Sequence, residues 1–247
     1  MLLDGKTALV TGSTRNIGKA IALRFSELGA NVVVHGERDD AAARAVRDAC
    51  SAHGGRSLHV MADVADVEDV RRMAGEVLDE FDAIDVLVNN AATRPTHAFL
   101  EMPVDAWHRV LGVDLHAAFY TSQAFLPGMV ERGWGRIINI TGMHAMDGFE
   151  GRAHVSAAKH GLWGMTKALA KEFGPNGITV NAISPGTIRS QRDAPDLERA
   201  IEATAAQIPV RRLGEPEDIA ALCALLASNE GGFTTGQMIA VNGGMRT

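Results

Sequence analysis

Short apolar runs alternate along the chain with longer stretches in which apolar residues recur every three or four positions. The runs are TALV (7–10), NVVV (31–34), SLHVM (57–61), IDVLV (84–88), RIINI (136–140), ITVNAI (178–183) and QMIAV (237–241). They lack polar alternation, which marks strands covered on both faces. Between them, spacings such as Ile17, Ala20, Ile21, Leu23, Phe25 and Leu28, or Leu162, Met165, Leu169 and Phe173, predict amphipathic helices. Strand and helix repeated in turn predict an α/β fold: one doubly wound parallel sheet of seven strands with helices on both faces. Only 187–214 (TIRSQRDAPDLERAIEATAAQIPVRRLG) breaks the rhythm, with charges and prolines, and it is read as a lid or substrate loop on one domain spanning 1–247.

Composition narrows the partners. With 24 Lys+Arg against 30 Asp+Glu the formal charge is −6, and the basic residues are scattered, which argues against nucleic acid and anionic membranes and for a small-molecule substrate. Cys50 and Cys223 form neither a CxxC nor a metal-ligand spacing and are expected to be buried thiols. Asp4 and Lys6 interrupt the apolar start, and no stretch approaches the length of a membrane span, so a cytoplasmic location is expected.

Directly after the first run stands Thr11-Gly12-Ser13-Thr14-Arg15-Asn16-Ile17-Gly18, leading into a helix. A glycine-rich strand-to-helix turn lets backbone N–H groups and a helix N-terminus approach a pyrophosphate. Further along come Asn89-Asn90-Ala91-Ala92, Lys159, Pro185-Gly186 and Asn242-Gly243-Gly244. In this order and at these distances the motifs resemble the short-chain dehydrogenase/reductase family over essentially the whole chain: the turn is similar to its TGxxxGIG, 89–92 to its NNAG, Lys159 to the lysine of its YxxxK, and 185–186 to its PG pair.

That resemblance implies a seven-stranded Rossmann domain, a nicotinamide cofactor, and self-association as a tetramer or dimer through the helices 105–131 and 153–173. It implies that Gly12, Ser13, Thr14, Arg15, Asn16 and Ile17 line the cofactor, that Asp63 and Val64 meet the adenine, that Asn90, Ala91 and Ala92 flank the ribose, and that Ile188 packs beside the nicotinamide. Asn16 replaces the family's middle glycine, and asparagine tolerates a left-handed backbone better than most residues. Cofactor choice turns on the end of the second strand, where an acid accepts from a ribose 2′-OH and a basic residue meets a 2′-phosphate. Gly36 occupies the acid position, while Arg38 and Arg15 suggest a cradle for a phosphate dianion. NADP(H) is therefore favoured over NAD(H), with Glu37 as the opposing feature.

At the chemical end the family uses Tyr as proton donor, Lys to lower its pKa, Ser to polarise the oxygen and Asn to hold a relay water. This chain has one tyrosine, Tyr120; four residues before Lys159 stands Val155, the Ser position falls on Gly142, and the Asn position is Asp114. The replacement candidates are His144, two residues past Gly142, and His154, with Asp114 orienting one of them or holding the water. Lys159 retains a second use in binding the nicotinamide ribose. Thr141 offers a hydroxyl but points oppositely to its neighbour. Arg94, His97 and Arg152 are expected to face the pocket, with Arg94, close behind 89–92, meeting an anionic substrate group such as a carboxylate, and Gly142 and Val155 facing the substrate. Asp114, His144, Asp147 and His154 match no compact ligand motif, so no metal is expected. Three readings stay open: an NADP(H)-linked oxidoreductase with a non-standard proton donor, a non-redox lyase, isomerase or hydrolase, and a catalytically inactive nucleotide-binding protein.

Overall fold

The computed structural model describes residues 1–143, 147–190 and 203–246. Seven parallel strands, β1 (Thr7–Val10), β2 (Asn31–Gly36), β3 (Ser57–Met61), β4 (Val86–Asn89), β5 (Gly135–Ile140), β6 (Ile178–Pro185) and β7 (Met238–Val241), form one sheet in the order β3-β2-β1-β4-β5-β6-β7. The seven expected runs are thus the seven strands. The order reverses between β1 and β4, so a crevice opens at their carboxyl ends, where ligands bind in sheets of this kind.

The helices are α1 (Asn16–Glu27), α2 (Asp40–Ser51), α3 (Val67–Phe81), α4 (Val104–Leu111), α5 (Ala117–Arg132), α6 (Ala153–Phe173) and α7 (Pro216–Ala227). Their starts are written in the sequence. The Asp39 side chain accepts from the Ala42 N–H at the head of α2, and Asp66 accepts from Glu68 and Asp69 at the head of α3. Glu215 and Asp218 close a capping box on α7, with Pro216 at its first position.

Adjacent strand residues supply opposite cores, which is why no polar alternation was present. Val10, Val34, Val88 and Ile138 pack with Ile21 and Phe25 of α1 and Ile219 of α7; Leu9, Val33, Leu87 and Ile137 pack with Met73 of α3 and Phe125 and Met129 of α5. Cys50 and Cys223 are buried free thiols in the first of these cores. No helix among the described residues is long and apolar enough to cross a membrane.

Between α4 and α5 the chain stays helical but widens into one π-turn at Gly112–His116. Such a bulge shifts the register of the side chains it carries, and Asp114 lies at its middle, buried. Of the expected lid, 191–202 lies outside the described residues; its two described ends are joined, with Arg189 N–H donating to the Gly214 carbonyl and Gly214 N–H to that of Thr187.

Candidate functional site

The turn between β1 and α1 is held by backbone contacts that leave room for little else. Gly12 has φ 62° and Asn16 φ 48°, so the asparagine takes the left-handed conformation its side chain tolerates. A Cβ on Gly18 would stand 2.3 Å from the Gly12 carbonyl oxygen, which restricts that position to glycine. No side chain caps α1 and no acid stands in its first turn, so its positive end faces the crevice uncompensated. These features fit a pyrophosphate.

The remaining contacts give several expected cofactor residues a structural occupation. The Asn90 side-chain amide donates to the Thr11 and Gly12 carbonyls, at 2.9 and 3.0 Å, and fastens β4 to the turn. The Thr11 hydroxyl accepts from the Asn90 and Ala91 N–H groups. The Ser13 hydroxyl accepts from the His35 N–H, so it faces β2. Val64 is buried in the α3 core, while Asp63 stays at the rim. Gly36 is hemmed in: a Cβ there would lie 3.0 Å from Thr14 Cγ2 and 3.1 Å from Met61 Sδ. Gly186 sits under Asn242, whose Cα would be 2.7 Å from an added Cβ, and Ile188 packs against the α1 core.

Sequence reasoning missed His35, a polar residue at the buried end of the run NVVVHG. It is 2% exposed; Nδ1 accepts from the Gly12 N–H at 2.9 Å, and Nε2 lies 3.1 Å from the Ala62 carbonyl. The first bond requires a lone pair on Nδ1, so Nε2 carries the proton and donates. Burial holds its pKa down at about 4, against smaller upward contributions from the Ala62 bond and from Glu37 and Asp63.

At the chemical end, Lys159 and Asp114 form a buried ion pair, Nζ to Oδ2 3.2 Å, with the two side chains 4% and 0% exposed. Lys159 Nζ also donates to the Ile140 carbonyl at 3.0 Å, and the Thr93 N–H donates to Asp114 Oδ1 at 2.7 Å. Burial pushes the Lys159 pKa down, Asp114 pulls it up, and Arg94 adds a further downward push. The π-turn, β5, α6 and the loop after β4 therefore converge on one charged pair. Beside it lies an interior cavity of about 10 Å³, the room one water needs, lined by Thr11, Asn89, Val113, Asp114, Lys159 and Leu162.

The position four residues before Lys159 is closed. Val155 is 1% exposed and packs with Val110, Ala158, Leu111 and Leu115, so it is a core residue rather than an open substrate contact. Gly142 has φ 146°, a conformation that disfavours a side chain. The Thr141 hydroxyl donates to the Ile183 carbonyl and points into the sheet. Tyr120 packs on α5 beside Phe119 and His116, against the α3 core. His144 lies outside the described residues, though the flanking Met143 N–H donates to the Pro185 carbonyl. His154 is fully buried, with neither ring nitrogen hydrogen-bonded, edge-on to His97 at 5.8 Å. Burial and the nearby His97 depress its pKa, against upward contributions from the Arg152 backbone and then the Asp114 charge. Arg152 donates from Nε to the Thr96 hydroxyl, fixing the head of α6 to the loop that carries His97. Among the described residues no three His, Cys, Asp or Glu side chains gather as metal ligands.

With this geometry in view, the comparisons with known proteins agree. The family model described as enoyl-(acyl carrier protein) reductase matches residues 12–246. A 3-oxoacyl-(acyl-carrier-protein) reductase of Aquifex aeolicus is 37% identical over 243 residues, covering 98% of each chain. The enzyme of the same name from Staphylococcus aureus is 39% identical over 240 residues, 97% of this chain and 98% of its own. A crystal structure from Sinorhizobium meliloti 1021, provisionally described as a short-chain alcohol dehydrogenase, superimposes with a TM-score of 0.92 at 30% identity, covering 99% of this chain and 98% of that one. A seven-stranded parallel sheet with a glycine-rich turn after β1, a family model matched over residues 12–246 and relatives covering 97–98% of the chain place it in the short-chain dehydrogenase/reductase family, as an oxidoreductase of that kind.

Proposed function

We propose that the chain is an NADP(H)-dependent reductase of a carbonyl borne on a small molecule, within the class of 3-oxoacyl thioesters, and that its proton comes from a histidine instead of a tyrosine. One observation carries the reading: the buried Lys159–Asp114 pair at the nicotinamide end of an intact nucleotide turn. A lysine this deeply buried needs a partner and a use, and Asp114 supplies the partner. The nucleotide, when bound, supplies the hydride that reduces the carbonyl carbon.

The chain's own residues do the rest. The turn at Gly12–Gly18 and the head of α1 hold the pyrophosphate. Lys159 holds the nicotinamide ribose, and Asp114 keeps it charged despite burial. The cavity between Asp114, Lys159 and Asn89 suits one relay water, the task an asparagine performs in the family. His144 delivers the proton to the carbonyl oxygen from the segment after β5, while His154, held neutral, steadies the loop around His97. The Arg94 charge, felt at Lys159, is assigned to an anionic substrate group. The reading extends to one nucleotide-binding unit over 1–247, self-associating through its long helices in the cytoplasm.

Incubation with NADPH and a 3-oxoacyl thioester is expected to consume nicotinamide absorbance; tight nucleotide binding without any such consumption across carbonyl compounds would leave a binding protein. In parallel, His144→Ala is expected to lower turnover about a hundredfold with NADPH affinity unchanged. A loss confined to His154→Gln would instead transfer the proton role to His154.

A further inference from the structure

We infer that Arg109 of α4, far in sequence from the nucleotide turn, is the residue that sets the preference for NADP(H) over NAD(H), by neutralising Glu37 at the ribose 2′ position. The inference rests on the cofactor reading above and adds to it the residue that decides the ribose. Glu37 follows β2 immediately, where a carboxylate ordinarily accepts from the 2′-OH and selects the dephosphorylated nucleotide. Its charge would repel a 2′-phosphate dianion.

Here that carboxylate is already engaged. Arg109 NH2 stands 3.0 Å from Glu37 Oε1, and the same oxygen takes the Arg38 guanidinium at 3.1 Å. The other branch of Arg109 is paired with Asp63, just past β3. The planar guanidinium fork thus ties together the rims of β2 and β3, a span a lysine cannot cover with one nitrogen. Two carboxylates, Glu37 and Asp63, meet two guanidiniums, Arg38 and Arg109, and the rim is neutral. Remove Arg109 and it carries a net negative charge, with Glu37 free to turn to a ribose hydroxyl. Arg38 cannot hold the balance alone: its side chain is 82% exposed and borders only Glu37 among the pairs on this rim.

The test is a fluorescence titration of the full chain with NADPH and with NADH at low ionic strength, where a partly exposed rim is least screened. In Arg109→Gln the NADPH Kd is expected to rise about tenfold while the NADH Kd moves less than twofold, and Arg109→Lys falls between. Glu37→Gln should shift the ratio the other way, and adding it to Arg109→Gln should recover most of the NADPH affinity, whichever single variant proves unstable. An unchanged NADPH-to-NADH ratio in both single variants, or equal weakening of both nucleotides, overturns the role of Arg109 while leaving the cofactor reading intact. Failure of the parent chain to bind either nucleotide overturns both.

Discussion

Replacing Lys159 with methionine is expected to abolish nicotinamide-nucleotide binding and to destabilise the fold by about 3–5 kcal/mol in the same step. The two losses have different origins. Methionine fills a similar volume but leaves Asp114, whose side chain is 0% exposed, as a buried carboxylate without its cation. The binding loss follows from the proposed role of Lys159 in holding the nicotinamide ribose. Asp114→Asn added to Lys159→Met separates them: the amide oxygen still accepts from the Thr93 N–H, the stranded charge is gone, and most of the stability returns while nucleotide binding does not. Urea midpoints and NADPH fluorescence on the three proteins check this. A Lys159→Met protein as stable as its parent would mean that Asp114 takes up a proton at little expense, and retained NADPH binding would remove Lys159 from the cofactor site.

The same pair shows how far the sequence could be read. Lys159 and Asp114 were nameable because the family resemblance supplies motif positions that fall on them. That they touch was not legible, because contact depends on the π-turn at Gly112–His116, and one extra residue in a helical turn leaves no mark in hydrophobic spacing. The strands were legible for the opposite reason: a parallel strand buried on both faces must be apolar throughout, and Val10 and Leu9 each satisfy a separate core. Asn16, standing where the family motif has a glycine, could be expected in a left-handed conformation because asparagine tolerates it, and its φ of 48° agrees.

Val155 marks the limit of motif counting. Counting back from Lys159 leads to Val155 where the resemblance implies a tyrosine, and packing sets that valine in a cluster with Val110 and Ala158. A tyrosine restored there would have to displace that cluster, and a serine at Gly142 would have to adopt φ 146°. Arg109 and His35 were missed because their roles lie in long-range pairings, β2 to β3 and β2 to β1, for which no spacing rule exists.

Acidification should expose the second of these. Above about pH 6.5 His35 is neutral in both folded and unfolded chains and contributes no pH dependence. As the pH falls the unfolded chain takes up a proton near 6.5, whereas the folded chain resists until about 4 because its ring is buried and Nδ1 is engaged by the Gly12 N–H. The unfolded state therefore binds more protons throughout that window, and stability declines through it by up to about 3 kcal/mol before levelling below pH 4. His35→Asn keeps an acceptor and a donor without a titratable ring, so its urea midpoint should fall less over the same range, the gap between the two curves opening from pH 6.5 down to 4. His154, also depressed by burial, shifts both proteins alike and drops out of the difference. The consequence for function is local: a protonated Nδ1 cannot accept from Gly12, so the bond that seats the nucleotide turn is the first to go. NADPH affinity should accordingly weaken on acidification in the parent before global unfolding is detected and hold longer in His35→Asn; superimposable curves for the two proteins would show that the buried imidazole titrates freely and does not pin the turn.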